Sequence, residues 1–285
     1  MKKVSKLVAV ILVLSMVFVS CGNSENNNGG TSAPGGTATD STSNEDNSLK
    51  YITDRGQFIL GLDASFPPMG FTDEDLNIVG FDIDVAKEVC KRMGVELKLQ
   101  PIDWKAKEQE LNTKNIDCIW NGFSYSEERN AALTLSQSYM TNTQVAVVLS
   151  TSEATKLSDL AGKVVAIQNG STASDAMEDN KEFTDSLKQL VKVDDNVQAM
   201  MDLKINGSDA VVMDEVVARY YTEKEPGTYK ILEETLSDEQ YVIGFRKGDK
   251  ALCDEIEKYL KEMKEDGTLA NISTEWFGKD ITTIQ

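Results

Sequence analysis

From residue 57 onward, short apolar runs alternate with stretches whose apolar residues recur every three or four positions. A chain that switches repeatedly between those two periods builds parallel sheets with helices laid on them. Strands are expected at 57–62, 116–120, 145–149, 163–167, 191–193, 209–213, 229–232 and 241–245. A strand is also expected where Val95, Leu97 and Leu99 alternate. Between them, Ala86, Val89, Cys90 and Met93 form one helical stripe, and Leu252, Ile256, Tyr259, Leu260 and Met263 another. The first of these helices is expected to open at Gly80-Phe81-Asp82 with Asp82 as N-cap, and Gly94 stops it. Such units are too numerous for one small sheet. At 285 residues the chain is comfortable as two lobes.

The N-terminus belongs to neither lobe. Lys2, Lys3 and Lys6 precede an apolar run at 7–19, closed by Ser20 and Cys21. A basic start, a run too short to span a bilayer and a small residue before the cut describe an export signal over 1–20. Phe18-Val19-Ser20-Cys21 resembles a bacterial lipobox, with Phe where Leu is usual, so Cys21 is the expected lipidation site. The segment after it, to residue 48, is mostly Asn, Gly, Ser and Thr with no large apolar side chain, and cannot fold. It reads as a leash that holds a globular body off a membrane.

Composition excludes several function classes. The chain has no histidine, so Ser-His-Asp and Cys-His nucleophile pairs and histidine zinc sites are ruled out. The formal charge is −18, and the acidic excess grows once the leader is removed. Phosphate binding needs a basic face, so nucleic acid is not an expected partner. So strong a charge favours a soluble monomer. Cys90, Cys118 and Cys253 each lie in an apolar pattern, where buried free thiols are the default.

The segment 117–129 carries the most chemistry: Asp-Cys-Ile-Trp-Asn-Gly-Phe-Ser-Tyr-Ser-Glu-Glu-Arg. A strand is expected to end at Trp120, to turn at Asn121-Gly122, and to lead through Ser124 into a helix capped by Ser126, with Arg129 one turn in. Arg129 is either a solvated surface charge or a fork that grips a carboxylate with two parallel hydrogen bonds. Phe66, on a loop stiffened by Pro67 and Pro68, is either a binding platform or a core plug. The Gly170-Ser171-Thr172 turn opens a helix and offers free N–H groups to an anion, or simply caps that helix. Asp214-Glu215 at a strand end is an N-cap pair or a cation site.

Several segments together resemble the amino-acid-binding proteins of bacterial ABC importers, the family 3 solute-binding proteins. They are 61–71 (Gly-Leu-Asp-Ala-Ser-Phe-Pro-Pro-Met-Gly-Phe), 79–93 (Val-Gly-Phe-Asp-Ile-Asp-Val-Ala-Lys-Glu-Val-Cys-Lys-Arg-Met) and 117–129, continued by 160–172, 209–221, 241–249 and 266–278. The resemblance covers essentially 50–278. It implies an α/β fold, a two-lobed periplasmic-binding-protein-like clamshell of type II, each lobe a mainly parallel sheet flanked by helices, with two hinge crossovers. The lobes would be 49–142 with 238–285, and 143–237. The resemblance also assigns roles by position. Arg129 and the N–H of Thr172, beside Ser171, would take the ligand carboxylate. Asp214, Ser124 and the backbone of Asn121, next to Gly122, would take its ammonium. Phe66 and Trp104 would sandwich its side chain, and Asp63 could face a basic one. Asn121 in an aromatic pocket suggests a polar or sulfur-containing ligand such as glutamine or cystine.

The resemblance implies no cofactor and no enzymatic activity. It implies instead delivery to an ABC permease whose separate ATPase subunit supplies energy, since no Walker-type loop is present in this sequence. The alternative is an exported dehydratase-like enzyme on the same fold, which would need an acid–base pair that does not stand out.

Overall fold

The structure is a computed structural model that describes residues 45–285; the export segment 1–20, Cys21 and the leash to residue 44 lie outside the described residues. The described chain opens with helix α1 (Ser48–Arg55), of which the apolar pattern gives no warning because only Ile52 in it is buried. Then come β1 (Gln57–Leu62), α2 (Phe81–Met93), β2 (Glu96–Pro101), α3 (Lys107–Asn112) and β3 (Cys118–Ser124), with β1 between β2 and β3 and parallel to both. The loop after β1 folds into a three-stranded sheet of its own that contains Phe66.

After α4 (Glu127–Ala132) the chain runs through β4 (Met140–Leu149), β5 (Val164–Gln168), α5 (Thr172–Asp179), α6 (Lys181–Ser186) and β6 (Gln189–Val193). It continues with α7 (Asn196–Lys204), β7 (Ala210–Asp214), α8 (Glu215–Lys224) and β8 (Tyr229–Phe245), and closes with α9 (Lys250–Glu265) and α10 (Thr268–Phe277). The sheet order is β6-β5-β7-β4-β8-β3-β1-β2, with the short strand Thr134–Leu135 paired to β8 off that path. Each end of this sheet is parallel, β6-β5-β7 on one side and β3-β1-β2 on the other. Both parallel ends are joined by β4 and β8, which pair antiparallel with each other from Tyr229 opposite Leu149 to Tyr241 opposite Met140.

Burial follows the strand period. In β7 every residue is buried; Ala210 and Val212 join Val165, Met177 and Phe183 in one core, while Val211 and Met213 join Met200, Leu203 and Val217 in another. Period 2 sends successive side chains to opposite faces, and a parallel strand covered on both faces reads as a continuous apolar run. In β3, likewise, Cys118 and Trp120 face the main core while Ile119 and Phe123 face the smaller one around Trp104 and Leu111. Cys90, Cys118 and Cys253 are buried free thiols.

Three local expectations are corrected. Asp82 does not cap α2: Gly80 holds that place, and the Asp82 carboxylate turns into the core, where Oδ2 accepts from the Gly122 N–H at 2.8 Å and the Tyr139 hydroxyl at 3.0 Å. Strand β3 does not end at Trp120 but runs on to Ser124, and Gly122 with φ 57° absorbs a bulge against β8, whose register slips between Val242 and Gly244. The strands expected at 229–232 and 241–245 are one 17-residue strand, and the one expected at 145–149 begins at Met140. The joining stretches, Thr141-Asn142-Thr143 and Ser237-Asp238-Glu239-Gln240, face solvent and the seam between the two sheet ends instead of a core, so they carry no apolar alternation.

Candidate functional site

The carboxyl ends of β1, β3, β5 and β7 converge on one seam, the place where open α/β sheets collect ligands. A small cavity there is lined by Phe66 from the loop after β1, Gly122 and Ser124 from β3, and Arg129 from α4. Trp104, Gln168 at the end of β5, Ser171 and Thr172 at the start of α5, and Asp214 at the end of β7 complete the wall. Eight of the ten residues expected from sequence therefore meet at this wall, while Asp63 and Asn121 lie behind it.

One side of the cavity presents a buried cation. Ser126 caps α4 by accepting the Arg129 N–H at 3.2 Å, which fixes the first turn and aims the arginine inward. Only 8% of Arg129 is exposed. Its Nη1 donates to the Ser124 carbonyl at 2.7 Å, and its guanidinium carbon lies 4.4 Å from the centre of the Phe123 ring. Burial holds its pKa below the ordinary arginine value, against the pull of Asp175, Glu108, Glu239 and Asp214. It makes no salt bridge among the described residues. A buried, unpaired cation is costly, and an anion received there would offset that cost. Thr172 opens α5 on the same cavity wall; the Ser174 N–H meets the Ser171 carbonyl at 3.0 Å, and the N–H groups of Thr172 and Ala173 have no intrahelical acceptor.

The other side presents a buried carboxyl group. Asp214 ends β7 and precedes α8, but its side chain makes no capping hydrogen bond. Its Oδ1 accepts from Asn142 Nδ2 at 2.6 Å, Gln144 Nε2 at 3.1 Å and the Tyr241 hydroxyl at 2.8 Å. Burial, then the nearby Glu239 charge, push its carboxyl up to about 7, with the Tyr241 and Gln144 hydrogen bonds pulling the other way. Asn142, Gln144 and Tyr241 sit on β4 and β8, and nothing in their periodicity marks them. Ser124 lines the same cavity, its Oγ within 3.4 Å of Thr172 Oγ1.

Phe66 and Trp104 form the remaining wall. Both are buried; Trp104 meets Phe123 edge-on at 6.1 Å, and the Phe66 ring lies against the Gly122 backbone. Asn121 uses its Oδ1 to accept the Asp63 N–H at 3.1 Å, so it holds the β1 loop and does not face the cavity. Asp63 accepts from Gln168 Nε2 at 2.7 Å and from the Ser65 N–H at 2.8 Å. Burial raises its carboxyl to about 6 despite those hydrogen bonds. Gln168 is a wall residue that sequence reasoning passed over as part of a turn; its position at the end of a buried strand was the available signal.

The seam is shut. Gln168 reaches Asp63, Lys107 Nζ reaches the Gly170 carbonyl at 2.9 Å, and Lys105 Nζ lies 3.6 Å from Asp194. The cavity measures about 10 Å³, room for about one water molecule. A molecule larger than water can enter only if the two sides part.

The chain is similar to a known family and to several solved structures. The family model described as bacterial extracellular solute-binding proteins, family 3, matches residues 58–279. The L-cystine-binding protein TcyJ of Escherichia coli (strain K12) is 29% identical over 82% of this chain and 87% of its own length. The arginine-binding extracellular protein ArtP of Bacillus subtilis (strain 168) is 30% identical over 78% of this chain and 86% of its own. Among solved structures, an ABC uptake transporter substrate-binding protein from Streptococcus pneumoniae with bound histidine superposes with a TM-score of 0.81 at 35% identity, covering 84% of this chain and 99% of that one. Tv2483 bound to L-arginine superposes with a TM-score of 0.80 at 31% identity, covering 84% and 98%.

Proposed function

The chain belongs to the bacterial extracellular solute-binding proteins of family 3, and on that premise we propose that it holds a free α-amino acid between two lobes and hands it to an ABC permease. The lobes are 49–142 with 238–285, and 143–237. The observation that carries this reading is the pairing across one seam of a buried guanidinium without a salt bridge, Arg129, with a buried carboxylate, Asp214. A zwitterion matches that polarity end for end. The ligand carboxylate takes Arg129 and the start of α5. Its ammonium, with three donors, takes Asp214, Ser124 and a carbonyl near Asn121. Its side chain lies between Phe66 and Trp104.

The wall beyond the aromatics is polar, with Gln168 in it and Asp63 behind. That favours a polar or sulfur-containing side chain, glutamine or cystine being the first to try. A cationic side chain is the second reading, favoured by the buried Asp63 carboxylate and by the arginine and histidine carried by the neighbouring structures. Calorimetry over the common L-amino acids and cystine tests the whole. One or more should bind wild-type protein, and Arg129→Ala should weaken that ligand by about 100-fold or more, as expected for removing one partner of a buried charged pair. Unchanged affinity in the variant would remove Arg129 from the site.

The chain acts as a binding protein and performs no catalysis of its own; turnover of a bound amino acid, seen by mass spectrometry, would contradict this. No helix among the described residues is long and apolar enough to cross a membrane. The export signal over 1–20 and acylation of Cys21 supply the anchor, and the body works as a monomer. Mass analysis of protein extracted from membranes should find acyl chains on Cys21; a mature N-terminus elsewhere, unmodified, would refute the anchor.

A further inference from the structure

A second carboxylate stands at the acceptor end of the cleft. Glu239 projects from the middle of β8, and its Oε2 accepts from Ser124 Oγ at 2.7 Å, Asn142 Nδ2 at 3.0 Å and Gln144 Nε2 at 3.1 Å. The same two amide nitrogens donate to Asp214 Oδ1. Asn142 and Gln144 are two apart on β4, hence on one face of the strand, and together they tie the two acids into one unit. The Glu239 charge, next after burial, helps to hold the Asp214 carboxyl above its ordinary value.

The hydrogen bonds around Ser124 also have a direction. A serine hydroxyl has one proton to give, and Ser124 gives it to Glu239. Thr172 Oγ1 in turn donates to Ser124 at 3.4 Å, and Gln144 Nε2 lies 3.5 Å from Thr172 Oγ1. The chain runs from Thr172 through Ser124 to Glu239, the two Gln144 Nε2 protons being taken by Asp214 and Glu239. Ser124, which already accepts from Thr172, is thereby left with one lone pair available to the cavity, as an acceptor and not a donor.

We propose that Glu239 is a positioning residue for the ligand's ammonium: it orients Ser124 as an acceptor and, coupled to Asp214, makes ammonium capture a proton-releasing event. This rests on the amino-acid reading of the cleft. With its carboxyl raised to about 7, Asp214 holds a proton below neutrality. An arriving ammonium favours the carboxylate, so the proton leaves to the buffer and an ion pair replaces the neutral acid. The other charged or titratable groups around the pair are Arg129 from α4, which is committed to the ligand carboxylate, and Tyr241 from β8, which donates to Asp214. Glu215, on α8, is engaged by Thr143 and Arg219, and Asp175 on α5 acts on Arg129. None supplies a second cation for the ammonium end. Affinity should therefore climb with pH from about 5 to about 7 and level off above.

The test is calorimetry at pH 6 with L-glutamine, L-arginine and L-cystine, run in two buffers of different ionisation enthalpy to count protons released per ligand. Wild-type protein should release most of one proton with the ligand it binds. Glu239→Gln can donate to Ser124 and turn its hydroxyl proton toward the cavity; affinity should fall at least tenfold and the proton count by half or more. Ser124→Ala should lose affinity too, and adding Glu239→Gln to it should cost less than Glu239→Gln alone. Binding with an unchanged proton count and affinity in Glu239→Gln overturns the inference and leaves the amino-acid reading standing. Should that variant fail to fold, absence of proton release from the wild type at pH 6 overturns it equally. Wild-type protein that takes up no amino acid overturns both.

Discussion

Two buried side chains, Arg129 and Asp82, meet the cost of burial in different ways. Arg129 makes no salt bridge among the described residues and lines a cavity, where a bound anion would compensate its charge. Asp82 is wholly buried with two donors on one oxygen and none on the other, and burial pushes its carboxyl up to about 7. An unfolded aspartate titrates near 4. The folded form binds the proton more tightly, so this stabilisation is full below about pH 4 and is lost as pH rises through about 7. The unliganded protein should melt at a lower temperature at pH 8 than at pH 5, and Asp82→Asn should flatten that slope. Parallel melting curves for the two proteins across this range would show that Asp82 is not the group that titrates. That Arg129 and Asp214 would line one cavity was legible because each lies within a segment whose pattern matches the family. Glu239 and Gln144 were not, because an acid and an amide in a polar stretch look like any solvated surface until the strand that carries them is seen to cross the seam.

At the scale of elements, strand β3 decides the shape of the site. Its residues Cys118 to Trp120 pair and pack as an ordinary buried strand, and the bulge at Gly122 then swings Ser124 and the Arg129 turn onto the cavity. Gly122 can do this because φ 57° costs it nothing and because the Phe66 ring lies where a side chain would begin, 2.6 Å from an ideal Cβ. The Asp82 carboxylate pins the same N–H from below. Gly122→Ala should therefore destabilise the fold by about 1–3 kcal/mol and displace Phe66, lowering ligand affinity as well. A denaturation midpoint equal to wild type would mean that the bulge is not under this constraint. The sequence pattern showed the strand and the glycine but took them for an end and a turn, since a bulge and a turn use the same residue chemistry. It also showed β4 and β8 only in their apolar segments, because periodicity reports burial and the crossing segments are not in a core.

At the scale of the whole molecule, the α/β architecture followed from the alternation of strand and helix periods, whereas the return of the chain to its first half did not. That return is made by β8, whose C-terminal residues 241–245 pair with the edge of β3 opposite the one that β1 pairs with. Two strands crossing between the halves form a double hinge, and every contact that closes the seam, from Gln168 on Asp63 to Lys107 on Gly170, joins one half to the other. A ligand that needs both Arg129 and Asp214 stabilises only the shut arrangement, so it shifts the population toward it. The most direct measurement is small-angle scattering of the protein titrated with the amino acid that calorimetry identifies. The radius of gyration should fall as ligand is added, with the same midpoint as the calorimetric isotherm. Saturation of the site with no change in radius would mean that binding and closure are separate events.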